Sequence, residues 1–395
     1  MKRIKFVIVG SGWRALSYVR IAKELPEKFE LCAMLCRSEE KAEKMAAEQE
    51  IYATASIGEC CEMKPDFVVV AVNKSSIAQV SKEWMEYGFT VLCETPASLE
   101  LPVLEELWQL HNEGKRLMVA EQYTKRPTYR AMLSLVEEGL LGEPDGVNLS
   151  LAHEYHGARL MRAFLGENVS MPFTVRAKTY LFKTVETISR YERFKDGRIA
   201  DKKRTVATFE FADGKVAWYD FDSEEYRSPI RKKSVAVRGC KGELRDNKIY
   251  FLDENFSAAE GELDVRERVI PNDNSNPNLQ TIRETEKILF RSGKGNEKVI
   301  YEPAFGLCAL TEDQIAIAQL MTEAAEYTRA ADKLTGNEMS AVTGNDVECA
   351  KTVVKRSRQE LREALQDCYM AILLQEAVSA GEIIASKEQS WMKKE

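Results

Sequence analysis

Histidine is scarce in this chain: 395 residues hold three, His111, His153 and His156. His153 and His156 stand three apart with Glu154 beside them, but no zinc-type spacing of cysteine and histidine accompanies them, so no metal is expected. The nine cysteines are odd in number and scattered. Cys60 and Cys61 are adjacent, too close for a Cys-x-x-Cys redox pair, and Cys32, Cys36 and Cys93 lie inside apolar runs; free thiols in a reducing cytoplasm are expected, not a disulfide framework. Long hydrophobic runs are also missing. The longest, such as Phe67 to Val72, have strand length, far from the roughly 20 apolar residues of a membrane helix, so no membrane association is expected. The basic start MKRIKFVIVG is too brief for a signal sequence and runs straight into a glycine turn. No excess of positive charge is present either: Lys+Arg number 56 against Asp+Glu 63, a net charge of -7, which argues against nucleic acid as a partner. What remains is 44% apolar and 9% aromatic residues, enough for two or three domains with cores of their own.

The N-terminal part alternates two patterns. Short β-rich runs (IKFVIVG, FELCAML, DFVVVAV, FTVLCE, RLMVAE) are separated by helical stretches that start at Trp13, Glu39, Ser76 and Leu99. Such alternation predicts right-handed crossovers and a doubly wound parallel sheet over residues 1–122. The runs at Lys5 to Val9 and Phe67 to Val72 are apolar on both faces, as strands covered by helices on each side must be.

From residue 123 the grammar changes. A helix is predicted from Pro127 through Glu138, closed by the glycines of EEGLLGEPDG. Alternating strand patterns follow in GVNLSLAH, FTVRAKTYL, TVATFEFADGKVAWYDF, SVAVRGCKGEL and NKIYFL, with Asp213-Gly214 as a hairpin turn. Residues 254–300 are polar and rich in Asn, Pro and Gly, and read as a long irregular insertion. Helical periodicity returns from about Leu310, with Leu365, Tyr369, Ile372, Leu373 and Val378 broadly on one face. Residues 123–395 are thus expected to form an α+β domain with a mostly antiparallel open sheet and C-terminal helices. Trp84, Trp108 and Trp218 read as core residues.

The sharpest chemical signal is Gly10-Ser11-Gly12-Trp13-Arg14-Ala15, directly after the first strand and opening the first helix. Gly10 permits the tight turn, Gly12 lets the backbone approach a pyrophosphate, Ala15 allows close helix packing, and the first N–H groups of the helix face the anion. Arg14 adds a cation on the first turn. This predicts a bound dinucleotide. The second strand ends Leu35-Cys36-Arg37-Ser38, with no carboxylate to take the ribose 2′-hydroxyl; Arg37 and Ser38 suit a 2′-phosphate, so the reading leans to NADP with NAD as the alternative.

VIVGSGWRA, DFVVVAVNKSS, EWMEYGFTVLCETPAS, EEGLLGEPDGV, HGARLMRAFLG and FADGKVAW, in this order, resemble the Gfo/Idh/MocA family of NAD(P)-dependent oxidoreductases acting on sugars, cyclitols and similar polyols. The resemblance implies a Rossmann domain, in which Asn73, Glu94 and Thr95 join Gly10, Ser11, Gly12, Trp13, Arg14, Arg37 and Ser38 at the cofactor. It also implies a second domain whose open sheet supports the substrate pocket and, in many members, oligomer contacts, so that a homo-oligomer is expected. Two signatures depart from the family. Its Glu-Lys-Pro reads Glu94-Thr95-Pro96 here, and threonine donates a neutral hydrogen bond but supplies no cation to lower the pKa of a substrate hydroxyl. His156 stands at the histidine of the second signature, but Ala152 occupies the aspartate position.

The implied activity is hydride transfer between a nicotinamide and a secondary alcohol or ketone of a sugar-like or cyclitol substrate. His156 is the acid/base candidate, because imidazole titrates near neutral pH, with Tyr155 and Thr95 as its companions. His153 could share the proton work, Arg159 could hold an anionic or ketone oxygen, and Tyr123 and Lys125 lie where ligands bind such sheets. Two other readings stay open: a catalytically degenerate NAD(P)-binding sensor or partner protein, and a glycosidase that uses transient NAD redox cycling.

Overall fold

The computed structural model describes residues 2–189, 192–271, 281–293, 295–335 and 344–393, the side chains of 266–271, 281–286 and 344 excepted. The chain divides into two compact units, one of residues 1–122 with 313–366, the other of residues 123–312 with 367–395.

In the first unit, strands β1 (Ile4–Val9), β2 (Phe29–Leu35), β3 (Ala53–Thr54), β4 (Phe67–Val70), β5 (Val91–Cys93) and β6 (Leu117–Val119) alternate with helices α1 (Trp13–Glu24), α2 (Glu39–Gln49), α3 (Ile57–Glu62), α4 (Ile77–Glu86) and α5 (Leu101–Asn112). The strands make one parallel sheet in the order β3-β2-β1-β4-β5-β6. That is the doubly wound order, and its direction reverses between β1 and β4, the point at which sheets of this order bind ligands outside the carboxyl ends of their strands. Burial on both faces explains the unbroken apolar runs: Phe6, Val7, Ile8 and all of β4 are inaccessible to solvent. The Phe6 ring stacks on Phe67 at 5.8 Å and meets the edge of Phe29 at 6.5 Å.

The second unit opens with α6 (Pro127–Glu137), β7 (Pro144–Ser150) and α7 (Glu154–Leu165). It continues with β8 (Phe173–Val185), β9 (Ile199–Phe211), β10 (Val216–Asp222), β11 (Ser234–Gly239), β12 (Gly242–Arg245), β13 (Lys248–Leu252), β14 (Ala258–Pro271), β15 (Thr281–Ser292) and β16 (Glu297–Tyr301). Helices α8 (Glu312–Leu334) and α9 (Gly344–Ala380) and the short β17 (Ile384–Ala385) complete the chain. One sheet, in the order β16-β15-β14-β13-β12-β11-β7-β10-β9-β8-β17, runs through this unit; β7 and β10 pair parallel and the other neighbours antiparallel. Asp213-Gly214 turns β9 into β10, with Gly214 at φ 93° and its N–H on the Phe211 carbonyl.

Four expectations need correction. Residues 254–300 are not an irregular insertion: β14, β15 and β16 continue the sheet there. Only Leu263 and Ile288 of the described side chains in β14 and β15 are buried, so charged residues on the other face mask the alternation. The Asn- and Pro-containing stretch 272–280 lies outside the described residues. Trp218 is not core. Ala217, Tyr219 and Phe221 take the buried face of β10, which turns Trp218 to the opposite face at 43% exposure, while Trp84 and Trp108 are buried as expected. The face of α9 is also wider than expected, since Cys368, Met370, Ala371 and Leu374 are buried together with Leu365, Tyr369 and Leu373. Finally, residues 313–366 group with the first unit, where the sequence reading placed everything after 122 in the second domain. A return of the chain to an earlier unit leaves no local mark in composition or periodicity.

Candidate active site

In the first unit, the turn after β1 is built for close approach. Gly10 has φ 115°, and a Cβ there would lie 2.4 Å from the Ala71 carbonyl oxygen, so only glycine fits. Gly12 is the N-cap of α1, and a Cβ on it would meet nothing within 4 Å. No side chain caps α1, which leaves its first N–H groups and the positive end of its dipole directed into this space. A pyrophosphate fits such a cradle. Ser11 hydrogen-bonds the Cys36 thiol, which ties the turn to the end of β2.

The other predicted cofactor residues surround the same sheet end, with different tasks. Asn73, exposed after β4, accepts hydrogen bonds from the Ser75 hydroxyl at 2.7 Å and the Ser76 N–H at 3.0 Å, capping the approach to α4. Ser38 is the N-cap of α2 and accepts from the Lys41 N–H at 3.3 Å. Arg37 is exposed and carries no ion pair among the described residues. Trp13, at the first position of α1, is 40% exposed. Thr95 follows β5 and is half-buried, joined to Pro96 by a cis peptide bond.

Arg14 and Glu94 hold each other. The Arg14 guanidinium donates to Glu94 at 2.8 Å and to Asp313 at 2.5 Å, Tyr18 donates to Glu94 at 2.6 Å, and Gln122 donates to Asp313 at 2.9 Å. Burial alone would lower the Arg14 pKa, but Asp313 and Glu94 outweigh it and raise it well above the ordinary value. Burial, and then the Glu94 charge, raise Tyr18 in the same way. Arg14 is therefore a strut between α1 and the Glu94-Thr95-Pro96 turn, whereas the sequence reading gave its charge to the cofactor. Gln122, Asp313 and Tyr18 escaped that reading; a lone carboxylate 299 residues from Arg14 gives no local signal.

In the second unit, a cluster of rings gathers at the N-terminus of α7. His156 is 5% exposed, with its ring 4.4 Å from that of Tyr123, 4.5 Å from Tyr155 and 4.9 Å from His153. His153 bonds through Nε2 to the Tyr155 hydroxyl at 2.6 Å and through Nδ1 to the Tyr226 hydroxyl. The Tyr226 oxygen also accepts the His153 backbone N–H at 2.9 Å. Burial pushes the Tyr226 phenol far above its usual range, so it stays protonated at any working pH. Tyr219 accepts the Glu154 N–H at 2.9 Å, and the Glu154 carboxylate accepts from Gln375 at 2.6 Å. These bonds brace Glu154 at φ 30°, a strained value for a residue with a side chain, between the two ring-bearing residues His153 and Tyr155. Gly157 leaves room for Tyr219, whose ring a Cβ would approach to 2.7 Å.

Further along α7, Arg162 pairs with Asp367, both buried, and Arg159 Nη1 stands 3.9 Å from the same carboxylate. Arg159 thus faces a structural anion. Ala152 is wholly buried and offers only a methyl group where a carboxylate was looked for. Tyr123 joins the cluster as its position after the last strand of the first unit suggested, and the Arg126 guanidinium lies 3.9 Å above its ring. Tyr226 and Tyr219 were missed, because neither sits in a recognisable motif; the turn Ser223–Tyr226 that carries Tyr226 is visible only in the structure. No group of described residues forms a metal-binding cluster.

Residues 4–121 match the model of the oxidoreductase family with an NAD-binding Rossmann fold, Gfo/Idh/MocA. No curated protein sequence matches the chain. Among solved structures, GenD2 from gentamicin A biosynthesis, in complex with NAD, is similar at 14% identity and a TM-score of 0.59, over 98% of this chain and 97% of that one. A putative myo-inositol dehydrogenase from Sinorhizobium meliloti is similar at 15% identity and a TM-score of 0.56, over 97% and 99%. The WlbA dehydrogenase from Chromobacterium violaceum, in complex with NADH and UDP-GlcNAcA, is similar at 13% identity and a TM-score of 0.55, over 98% and 97%. These likenesses show a shared fold along the chain. Residues 4–121, with their glycine turn, are thus similar to the NAD-binding Rossmann domain of the Gfo/Idh/MocA oxidoreductase family.

Proposed function

We propose that this protein is an NAD(P)-dependent oxidoreductase acting on a secondary alcohol or ketone of a sugar-like or cyclitol substrate. The observation that carries this reading is the uncapped N-terminus of α1 behind Gly10 and Gly12, at the point where the strand order reverses. The names of similar structures, which include an inositol dehydrogenase and a UDP-sugar complex, support the substrate class. When bound, the nicotinamide supplies or accepts the hydride. The chain's own residues do the rest. Gly10, Ser11, Gly12 and the first turn of α1 bind the pyrophosphate; Arg37 and Ser38 favour NADP by receiving a 2′-phosphate. Glu94, held by Arg14 and Tyr18, sets the position of Thr95, whose hydroxyl orients the cofactor ribose or the substrate by one neutral hydrogen bond. His156 and Tyr155 manage the hydroxyl proton of the substrate.

A second reading, a cofactor-binding protein without turnover, draws on Thr95 and Ala152, which remove the cation and the carboxylate of the usual catalytic set. Assay of myo-inositol, scyllo-inositol and hexoses with NAD and NADP separates the two. Turnover that falls when His156 or Tyr155 is replaced supports the enzyme; cofactor binding without turnover on any of them supports the second reading. A cytoplasmic location is proposed from the odd number and scatter of the nine cysteines in the sequence. No helix among the described residues is long and apolar enough to cross a membrane.

A further inference from the structure

The link from β7 to α7 is fastened at both ends by consecutive residues of one turn. At its start, the Ser150 hydroxyl donates to Glu225 Oε1 at 3.0 Å. At its end, the backbone N–H of His153, the N-cap of α7, donates to the Tyr226 oxygen at 2.9 Å. The turn Ser223–Tyr226 is itself closed by a capping box, in which Asp222 accepts the Glu224 N–H at 2.8 Å and Glu225 Oε1 accepts the Asp222 N–H at 3.3 Å. One carboxyl oxygen thus closes the turn and fastens it to β7. The other, Glu225 Oε2, is buried without a hydrogen-bond partner among the described residues, a place that costs a carboxylate more than a neutral carboxyl. The charges nearby sharpen the difference. Asp222 and Asp220 of β10 oppose a further negative charge, and the cations of β9 are committed: Arg204 to Asp220 at 2.5 Å, Lys202 to Glu186 at 2.6 Å and to Glu224 at 3.1 Å. From α7 come His153 and Glu154, the latter bonded to Gln375, and from β10 the Tyr219 phenol. Lys233 lies 5.8 Å above the Tyr226 ring, and Arg227 follows the turn.

We propose that the turn Ser223–Tyr226 is a pH-operated clasp on the start of α7, held closed by the neutral Glu225 carboxyl and loosened when that carboxyl ionises. Two anchors one residue apart make the coupling direct. A shift of the turn that lets Glu225 reach water breaks its bond to Ser150 and carries Tyr226 off the His153 N–H in the same movement. The direction of the pH dependence follows from proton binding. In the closed state Glu225 keeps its proton up to about 7, whereas a released Glu225 in water ionises at the ordinary value of 4.5. Closure is therefore fully favoured below 4.5, weakens roughly tenfold per pH unit between the two values, and levels off above about 7. The start of α7, with the ring cluster it carries, is thus firmly held in acid and more loosely held in mild alkali. The clasp lies wholly within the second unit and does not depend on the oxidoreductase reading.

Amide hydrogen exchange of the full-length protein, read residue by residue at pH 5, 6, 7 and 8 and corrected for the intrinsic rate at each pH, tests the clasp. The His153 and Asp222 amides are expected to lose protection roughly tenfold per unit from pH 5 to 7 and little beyond. At every pH they should exchange at least about tenfold faster than the amides of Phe209 and Ala217 in the sheet, because local release precedes global unfolding. In Glu225→Gln, which keeps the acceptor oxygen and does not ionise, the protection of His153 and Asp222 should be the same from pH 5 to pH 8. Ser150→Ala removes a single hydroxyl and should lower the protection of His153 at pH 5. The proposal is overturned by a flat profile in the wild type, by the same slope in Glu225→Gln, by unchanged protection in Ser150→Ala, or by exchange of His153 only at the global rate of Phe209 and Ala217. Neither cofactor nor substrate enters the measurement, so its outcome and that of the cofactor titrations are independent.

Discussion

At the residue scale, three side chains have roles that can be tested by single substitutions. Arg37 is exposed just after β2 and makes no ion pair among the described residues, so Arg37→Asp should weaken NADPH binding tenfold or more, about 1.4 kcal/mol, and leave or improve NADH binding. Competitive fluorescence titration of the two cofactors measures the ratio, and an unchanged ratio contradicts the 2′-phosphate assignment. Glu225 is a different case. Burial pushes its carboxyl up to about 7, only partly offset by hydrogen bonds from the Ser150 hydroxyl and the Asp222 N–H. The folded protein therefore keeps a proton that the unfolded chain releases above its ordinary value of 4.5. The stabilisation is fully present below that value and is lost as pH rises through about 7. Urea midpoints at pH 5 and pH 8 should differ in the wild type, with the lower value at pH 8, and the difference should shrink in Glu225→Gln. The sequence showed the glycine turn, His156 and Tyr155 because each belongs to a local motif. It could not show that Arg14 is committed to Glu94 and Asp313, or that Tyr226 serves His153, because these partners meet only through tertiary packing.

At the element scale, α7 carries the histidine cluster and is pinned from two sides. Its N-terminus packs against Tyr219 of β10 through Gly157, and its middle is tied by Arg162 to Asp367 of α9. Gly157→Ala should cost roughly 1–3 kcal/mol, because the new methyl group would overlap the Tyr219 ring and no helix flexibility relieves it. Asp367→Ala removes the carboxylate that faces the buried Arg162 charge, and should cost roughly 3–5 kcal/mol. Equilibrium urea unfolding measures both, and a cost below about 1 kcal/mol for Asp367→Ala would contradict the pinning role. Element type was legible wherever the hydrophobic period was strong: β1, β4, α4 and α6 stand close to where the pattern places them. The pattern failed at β14 and β15, whose outward face is charged, and on β10, where an aromatic of each face alternates and period alone does not say which side is buried.

At the scale of the whole molecule, the chain crosses between its units after residues 122, 312 and 366. The boundary at 122 coincides with the change from helix-strand alternation to sheet patterns; the later crossings occur within helical sequence and have no compositional sign. The long sheet presents Trp218, Tyr250 and Leu252 on an exposed face, around a cavity of about 920 Å³ that they line with Gly146 and Gly242. We propose this face as the homo-oligomer contact, in keeping with the expectation from the sequence. Sedimentation of the wild type and of Trp218→Asp should show an oligomer that dissociates on substitution; a monomeric wild type would contradict it. Cofactor binding remains the most direct measurement. Purified protein titrated with NADPH and with NADH should show saturable nicotinamide fluorescence, with NADPH bound more tightly, and Gly12→Val should abolish both signals without unfolding the chain, since a side chain at that position enters only the open space before α1. A folded wild type that binds neither cofactor would mean that the Gly10 turn is structural alone, and that hydride transfer is not what this protein does.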